Sequence, residues 1–263
     1  ALQRYDEALR DLDQAIALNP NYAQAYSNRG LTYADLQRYD EALRDYDQAI
    51  ALDPDDAQAY SNRGNTYADL QRYDEALRDY GQAIADFSQA IDLDHRLTGA
   101  FKHRGLAYAY QDEPLKAVED YNRVIQLQPD DGDVFYGRGL IYSEQGDHAR
   151  ALADFNQAIK LIPKNAEFFA KRGFTHARLS NHAQAVEDYS QTLKLDIKNG
   201  PTYLNRATAY VGQGNYDQAI EDFNQAIRLM PDSVAAYTQR GQTRLLQMGL
   251  GDVLEMAATA PAT

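Results

Sequence analysis

Residues 23–49 read AQAYSNRGLTYADLQRYDEALRDYDQA, and 57–83 repeat them with changes only at Leu31/Asn65 and Asp47/Gly81, an offset of 34 residues. Self-similarity at such a period restricts the chain to an array. Each copy is one supersecondary unit that buries its apolar face only against its neighbours. Aligning the rest on Gly30, Gly64, Gly105, Gly139, Gly173 and Gly241, with Ala207 in the same role, gives units starting at 23, 57, 98, 132, 166, 200 and 234. Residues 1–22 form the second half of an earlier unit.

Within the unit beginning at 23, Tyr26, Gly30 and Tyr33 are spaced by four and three, as are Ala42, Tyr46 and Ala49. Such spacing places each group on one face of a helix. Gly30 and Ala42 are small where two antiparallel helices must approach closely, and Tyr26, Tyr33 and Tyr46 fill the space beside them. Gln37 and Arg38 fall in the turn between the helices; Pro54, among Asp53, Asp55 and Asp56, ends the second helix.

This pattern resembles the tetratricopeptide repeat, whose signature runs aromatic-x2-L-G-x2-Y, then A-x3-F, then P, and the likeness covers about 240 residues. The resemblance implies an all-α fold, a right-handed α-superhelix (solenoid) with first helices lining a concave groove and second helices outside. It also implies a protein or peptide partner. One departure is systematic: where the family has Leu before the Gly, this chain has Arg29, Arg63, Arg104, Arg138, Arg172, Arg206 and Arg240. Asp45, Asp79, Asp120, Asp154, Asp188 and Asp222 lie 16 residues after the first six of them. A hairpin brings these positions to the same height, so a repeated, partly shielded Arg–Asp pair is expected.

The array has one internal irregularity. DYGQAIA (79–85) is followed by DFSQAID (86–92), an extra heptad that keeps Phe87, Ala90 and Ile91 on the face of Tyr80, Ala83 and Ile84. The helix should overhang by about 10 Å at 1.5 Å per residue. The expected division is therefore 1–97 (half repeat 1–22, then 23–56, and 57–97 with the insertion at 79–92) and 98–247. The latter holds 98–131, 132–165, 166–199, 200–233 and the half repeat 234–247, followed by an irregular cap or tail at 248–263. Both array ends are ragged, with Leu2, Leu9, Leu12 and Ile16 short of partners, which suggests a piece of a longer chain or self-association through the ends.

Composition narrows the chemistry. A net charge of −13 argues against nucleic acid as a partner, because phosphate neutralisation needs clustered Lys and Arg. No apolar run approaches the roughly 20 residues that span a bilayer, so no membrane insertion and a cytoplasmic location are expected. The chain has no Cys, Walker loop, HExxH or GxSxG, and its histidines (His95, His103, His148, His176, His182) are scattered. His148 and His182 stand where other units have Tyr5, Tyr39, Tyr73 and Tyr216, as packing rings. No enzyme activity, metal or cofactor is expected.

The first-helix stripe at positions 2, 5, 6, 9, 12 and 13 of each unit is the candidate binding wall. At position 6, Asn28, Asn62 and Asn205 resemble the asparagine ladder of the O-GlcNAc transferase superhelix, interrupted by His103, Gly137 and Lys171. At position 9 stand Asn65, Leu106, Leu140 and Phe174, with Tyr110 and Tyr136 nearby and Lys102, Lys171 and Arg178 flanking them. The clamp by which some family members hold chaperone tails is missing, since Leu106 and Gly137 replace the required Asn residues. The resulting expectation is a non-catalytic scaffold that binds a peptide or protein segment in the groove. The alternatives are the substrate-targeting region of a larger enzyme, such as a glycosyltransferase or protease, and a self-assembling scaffold.

Overall fold

The computed structural model describes residues 2–69 and 76–250, and all regular structure among them is α-helical. The chain divides into two compact units, residues 1–134 and 135–263. The first unit carries α1 (Leu2–Leu18), α2 (Ala23–Asp35), α3 (Tyr39–Leu52), α4 (Ala57–Asp69), α5 (Ala76–Leu93), α6 (Thr98–Tyr110) and α7 (Pro114–Leu127). From α8 (Gly132–Glu144) the series continues with α9 (His148–Leu161), α10 (Ala166–Arg178), α11 (His182–Leu195), α12 (Gly200–Gly212), α13 (Tyr216–Leu229) and α14 (Val234–Gln247). Even-numbered helices open a repeat and odd-numbered ones close it. Within each unit the hairpins stack as an all-α repeat solenoid.

The tight hairpin turns share one closing device. After α2, the Gln37 amide donates to the Ala34 carbonyl and the Arg38 amide to the Tyr33 carbonyl, with Gln37 in the left-handed region at φ 58°. This is the Schellman arrangement, which satisfies carbonyls that the helix end would otherwise leave bare. Asp112, Gly146, Ser180 and Gly214 occupy the same turn position with positive φ. Because the turn is so short, successive helices run antiparallel and the aromatic stripe of one meets the small-residue stripe of the other.

The core of each hairpin is a ring pressed on a glycine, or on Ala207 in the α12–α13 hairpin. Tyr46, Phe87, Phe155 and Phe223 are completely buried, and Tyr121 and Tyr189 nearly so. A methyl group added at Gly30 would lie 2.9 Å from Tyr46, and one at Gly139 would lie 2.8 Å from Phe155. Gly105 and Gly173 are equally confined, by Tyr121 and by Asp188 with Tyr189. Ala42, Ala117, Ala151, Ala185 and Ala219 are fully buried on the opposing helix, where a larger side chain would force the pair apart. Of the three tyrosines expected to fill this space in the unit at 23, only Tyr46 does so. Tyr26 and Tyr33 are half-buried and flank the Arg29 guanidinium at 5.6 and 5.9 Å.

The shielded Arg–Asp pair is present, and it does more than the spacing implied. In Arg29–Asp45, Arg104–Asp120, Arg138–Asp154, Arg172–Asp188 and Arg206–Asp222, Nε and Nη2 donate to the two carboxylate oxygens at 2.5–2.9 Å. The planar fork of Arg matches a carboxylate in this bidentate way, and Lys would not reproduce it. The Asp residues are buried. The hydrogen bond to Asp120 holds the Arg104 guanidinium even more firmly protonated than usual, and Asp222 does the same for Arg206.

The third guanidinium nitrogen, Nη1, reaches back to the closing helix of the preceding repeat. Arg29 donates to Asp13, Arg63 to Asp47, Arg104 to Ser88, Arg172 to Asn156, Arg206 to Ser190 and Arg240 to Asn224, at 2.6–3.0 Å. Each of these acceptors lies 16 residues before its Arg and, in α3 and later closing helices, two residues after the paired Asp. One side chain thus joins three helices.

Arg63 departs from the expected pairing with Asp79, whose side chain lies outside the described residues. Its fork donates to Asp86, 23 residues on, at 2.8 and 2.9 Å. Phe87, from the second heptad, takes the ring position against Gly64. The choice has two physical reasons. Using Asp86 keeps 18 residues between the Asp and the next Arg, as between Asp188 and Arg206, so the stacking of α5 on α6 is undisturbed. The second copy also supplies Ser88 as an acceptor for Arg104, where the first copy has Gly81. The extra residues are therefore displaced toward the α4–α5 turn. Among the described residues α5 runs Ala76–Leu93, already longer than the 14-residue α3 and α7.

Two outcomes follow for stability. Asp188→Ala leaves the Arg172 guanidinium half-buried without its two acceptors, and urea denaturation should show a loss of about 3–5 kcal/mol. Gly139→Ala should destabilise by about 1–2 kcal/mol, overpacking against Phe155 outweighing the better helix propensity of Ala. Gly241, at the same repeat position in α14, has nothing within 4 Å of an added methyl. Gly241→Ala should therefore leave stability unchanged or raise it by up to about 1 kcal/mol.

Candidate functional site

Of the candidate wall residues, Asn28, Leu106, Tyr110, Lys171, Phe174, Arg178 and Asn205 are exposed and the rest are half-buried, and the structure gathers several of them into two clefts. In the first unit, Asn65 and Asp69 of α4, Tyr80 of α5, and His103, Leu106, Ala107 and Tyr110 of α6 line a cleft of about 340 Å³. In the second unit, Phe174 and Ala177 of α10, His182 and Tyr189 of α11, and Asn205, Thr208, Ala209 and Gln239 line one of about 250 Å³. The two are the same place in different repeats. Position 9 of one opening helix (Asn65, Phe174) faces positions 6, 9 and 10 of the next (His103, Leu106 and Ala107; Asn205, Thr208 and Ala209). In both clefts position 10 is a small buried residue, Ala107 or Ala209, beside an exposed position 9 such as Leu106 or Phe174.

Exposure separates anchors from packing residues. Leu106 is 44%, Tyr110 57% and Phe174 47% exposed, high values for side chains of this size. Tyr110 stacks on Tyr80, with ring centroids 5.0 Å apart and planes 14° from parallel. Leu140 is half-buried, while Lys171, Arg178 and Asn205 are exposed. Tyr136 belongs to the packing: its ring stacks 4.6 Å from Phe168 and lies 5.9 Å from Phe155, and its hydroxyl donates to Glu167 at 2.7 Å.

The polar candidates are partly committed. The Lys102 ammonium donates to Asp131 at 2.9 and 3.1 Å and lies 3.6 Å from Asp133, so its charge is already neutralised. The side-chain oxygens of Asn28 and Asn62 accept from Gln24 and Gln58, one turn earlier on their own helices, at 3.0 and 2.8 Å. Their amide donors keep capacity for a ligand carbonyl. His103 lies 5.9 Å from Phe87, and its Nδ1 is buried without a hydrogen-bond partner. Burial, with Lys102 beside it, pushes the imidazole below its usual value of 6.5, so it is neutral at pH 7. At the cleft mouth, partial desolvation raises the Asp69 carboxyl, and His103 opposes that rise.

Sequence reasoning overlooked Tyr80, Asp69 and His182. Asp69 occupies position 13, which belongs to the stripe, so periodicity contained its signal. His182 is the packing ring that its repeat position implies: a methyl on Gly212 would meet its imidazole at 2.6 Å. Its ring also reaches the cleft. Tyr80 could be found only by knowing which heptad supplies the core. Among the described residues no group of His, Cys, Asp and Glu is arranged to hold a metal ion. Among the same residues no helix is long and apolar enough to cross a membrane.

A constant core of Gly, Ala and rings beneath a wall that varies from repeat to repeat defines a helical-hairpin repeat scaffold. Comparison with protein families gives the same class. Residues 1–37, 31–71 and 116–146 match a family described as TPR repeat, and 57–90, 132–165 and 201–233 match families described as tetratricopeptide repeat. The chain belongs to the tetratricopeptide repeat family, and this supports a protein–protein interaction scaffold. A search of curated proteins returned no match in sequence. Among solved structures, it is similar to YrrB, described as a TPR protein with an unusual peptide-binding site (20% identity, 74% of this chain and 97% of that one, TM-score 0.64). It is also similar to pilF of Pseudomonas aeruginosa (18%, 83% and 96%, 0.70). A third likeness is to the C-terminal part of a TPR repeat-containing protein from Cytophaga hutchinsonii (18%, 89% and 94%, 0.70).

The division of labour on the wall is measurable. Tyr136→Ala removes a ring stacked on Phe168 and should lower unfolding free energy by about 2–4 kcal/mol, below the full range for a completely buried aromatic. Phe174→Ala, at an exposed position, should change it by less than about 1 kcal/mol in the same denaturation experiment.

Proposed function

We propose that this chain is a non-catalytic scaffold that holds an extended peptide or protein segment along the wall of its opening helices. The observation that carries this reading is the recurrence of one cleft, at equivalent repeat positions, beside exposed large apolar side chains: Leu106 and Tyr110 in one unit and Phe174 in the other. Exposed aromatic and aliphatic anchors in clefts are where binding energy concentrates. Side-chain amides such as Asn28, Asn62 and Asn205 add the donors that an extended backbone needs. The likeness to YrrB supports the same reading, as the fold it shares is compatible with a peptide site.

The core cannot serve this purpose, because its rings and glycines are already in contact and leave no room. The wall is also the face on which successive repeats differ: position 9 carries Leu31, Asn65, Leu106, Leu140, Phe174 and Thr208 in turn. A surface of this kind suits recognition of one segment through several unlike side chains.

The test starts from peptides selected from a random library on the intact chain and measured by fluorescence anisotropy. Leu106→Asp and Phe174→Asp together should weaken the best peptide by roughly tenfold or more, the loss expected of anchor residues. Circular dichroism and the melting temperature should stay as in the parent chain. If the double variant binds every selected peptide as the parent does, the wall is not the binding face.

A further inference from the structure

The displaced heptad leaves a ring with no core duty. Phe87 fills the space against Gly64, so Tyr80, its counterpart seven residues earlier, is carried to the turn end of α5. There it stacks on the exposed Tyr110 and forms a wall of the first cleft. No other described repeat has this second ring. Also lining it is Asp69, whose carboxylate makes no ion pair or hydrogen bond among the described residues and which is the one formally charged group among the described lining residues.

We infer that the first cleft is a subsite for a cationic side chain, arginine or lysine, of the bound segment, with Asp69 receiving the charge and the Tyr80–Tyr110 pair covering its stem. The inference rests on the wall being the peptide-binding face and specifies what one part of it selects.

Three alternatives fit the cleft less well. An apolar side chain would shield Asp69 from water without pairing it, and an unpaired buried carboxylate is costly. An anionic side chain would meet Asp69 directly; the ammonium of Lys102, next to His103, is already shared between Asp131 and Asp133, and the whole chain carries −13. A metal ion would find one carboxylate and one imidazole, fewer ligands than a protein site supplies. A guanidinium or ammonium suits each lining group. It pairs with Asp69, lies over the ring of Tyr110 in the geometry that aromatic faces favour, and leaves the neutral His103 and Asn65 to accept hydrogen bonds. The second cleft, with no charged group among Phe174, Ala177, His182, Tyr189, Asn205 and Thr208, lacks this feature.

The test uses the same selected peptides and the intact chain. Lys or Arg should be enriched at one position of the selected sequences. Replacing that residue by its neutral isostere, citrulline for arginine or norleucine for lysine, should weaken binding to the parent chain roughly tenfold, about 1.4 kcal/mol at 25 °C. On Asp69→Asn the same replacement should change affinity less than about twofold, and Tyr80→Ala should reduce the preference severalfold. Selected peptides without a basic position would overturn the inference, as would an isostere penalty that is equal on the parent and on Asp69→Asn. Those results leave the wall intact as the binding face, provided that Leu106→Asp and Phe174→Asp together still weaken capture. Failure of that pair, or the absence of any selected peptide, removes both readings.

Discussion

In five repeats a single guanidinium (Arg29, Arg63, Arg104, Arg172 or Arg206) ties three helices together, and the rest of the architecture is arranged around that tie. Its fork clamps the closing helix of its own hairpin through a buried Asp, while Nη1 holds the closing helix of the hairpin before it. Local hairpin geometry and stacking are thereby set by the same side chain. A buried ion pair of this kind adds little net stability over an apolar replacement, because desolvation offsets the Coulombic gain. Its effect lies in specificity: a helix slipped by one turn would bury an unpaired carboxylate. The half-buried aromatic rings on either side of the Arg, such as Tyr26 and Tyr33, limit its swing and leave the fork one orientation.

The heptad insertion shows this constraint at work. Two copies of nearly the same seven residues compete for one position, and both place an Asp and a ring on the correct face. The copy adopted keeps the next repeat in step and gives Arg104 an oxygen to donate to. The surplus residues fall on the N-terminal side of the adopted pair, where α5 carries Tyr80 without a core duty. An irregularity in the sequence is absorbed locally, and the stacking of α5 on α6 follows the same rule as elsewhere in the first unit.

That absorption also creates the difference on the wall. Where repeats obey the period, the ring of the closing helix is always consumed by the core. In α5 the surplus ring is released to the surface beside Tyr110, and a cleft with aromatic and acidic walls results. Duplicating a core heptad therefore produced wall chemistry without disturbing the core that carries it. Position 9 likewise varies from repeat to repeat, and Leu31, Leu106 and Phe174 there are exposed.

The amino-acid sequence by itself determined the helical hairpins, their 34-residue period and the Gly, Ala and ring core, because each of these is a local or nearest-neighbour requirement written at fixed spacing. It also held the Arg–Asp pairing, through a constant separation of 16 residues. Part of the wall was legible too: Leu106, Tyr110 and Phe174 are exposed as their stripe position implied, whereas Tyr136 shares that stripe and packs against Phe168 instead. Only the tertiary structure decided which heptad enters the core, where the third nitrogen of Arg29, Arg63, Arg104, Arg172, Arg206 and Arg240 is anchored, and which wall residues converge on a cleft. Periodicity assigns a residue to a face, but two heptads in phase present the same face. The choice between them is made by atoms on the next helix, a distance in space that spacing along the chain does not encode.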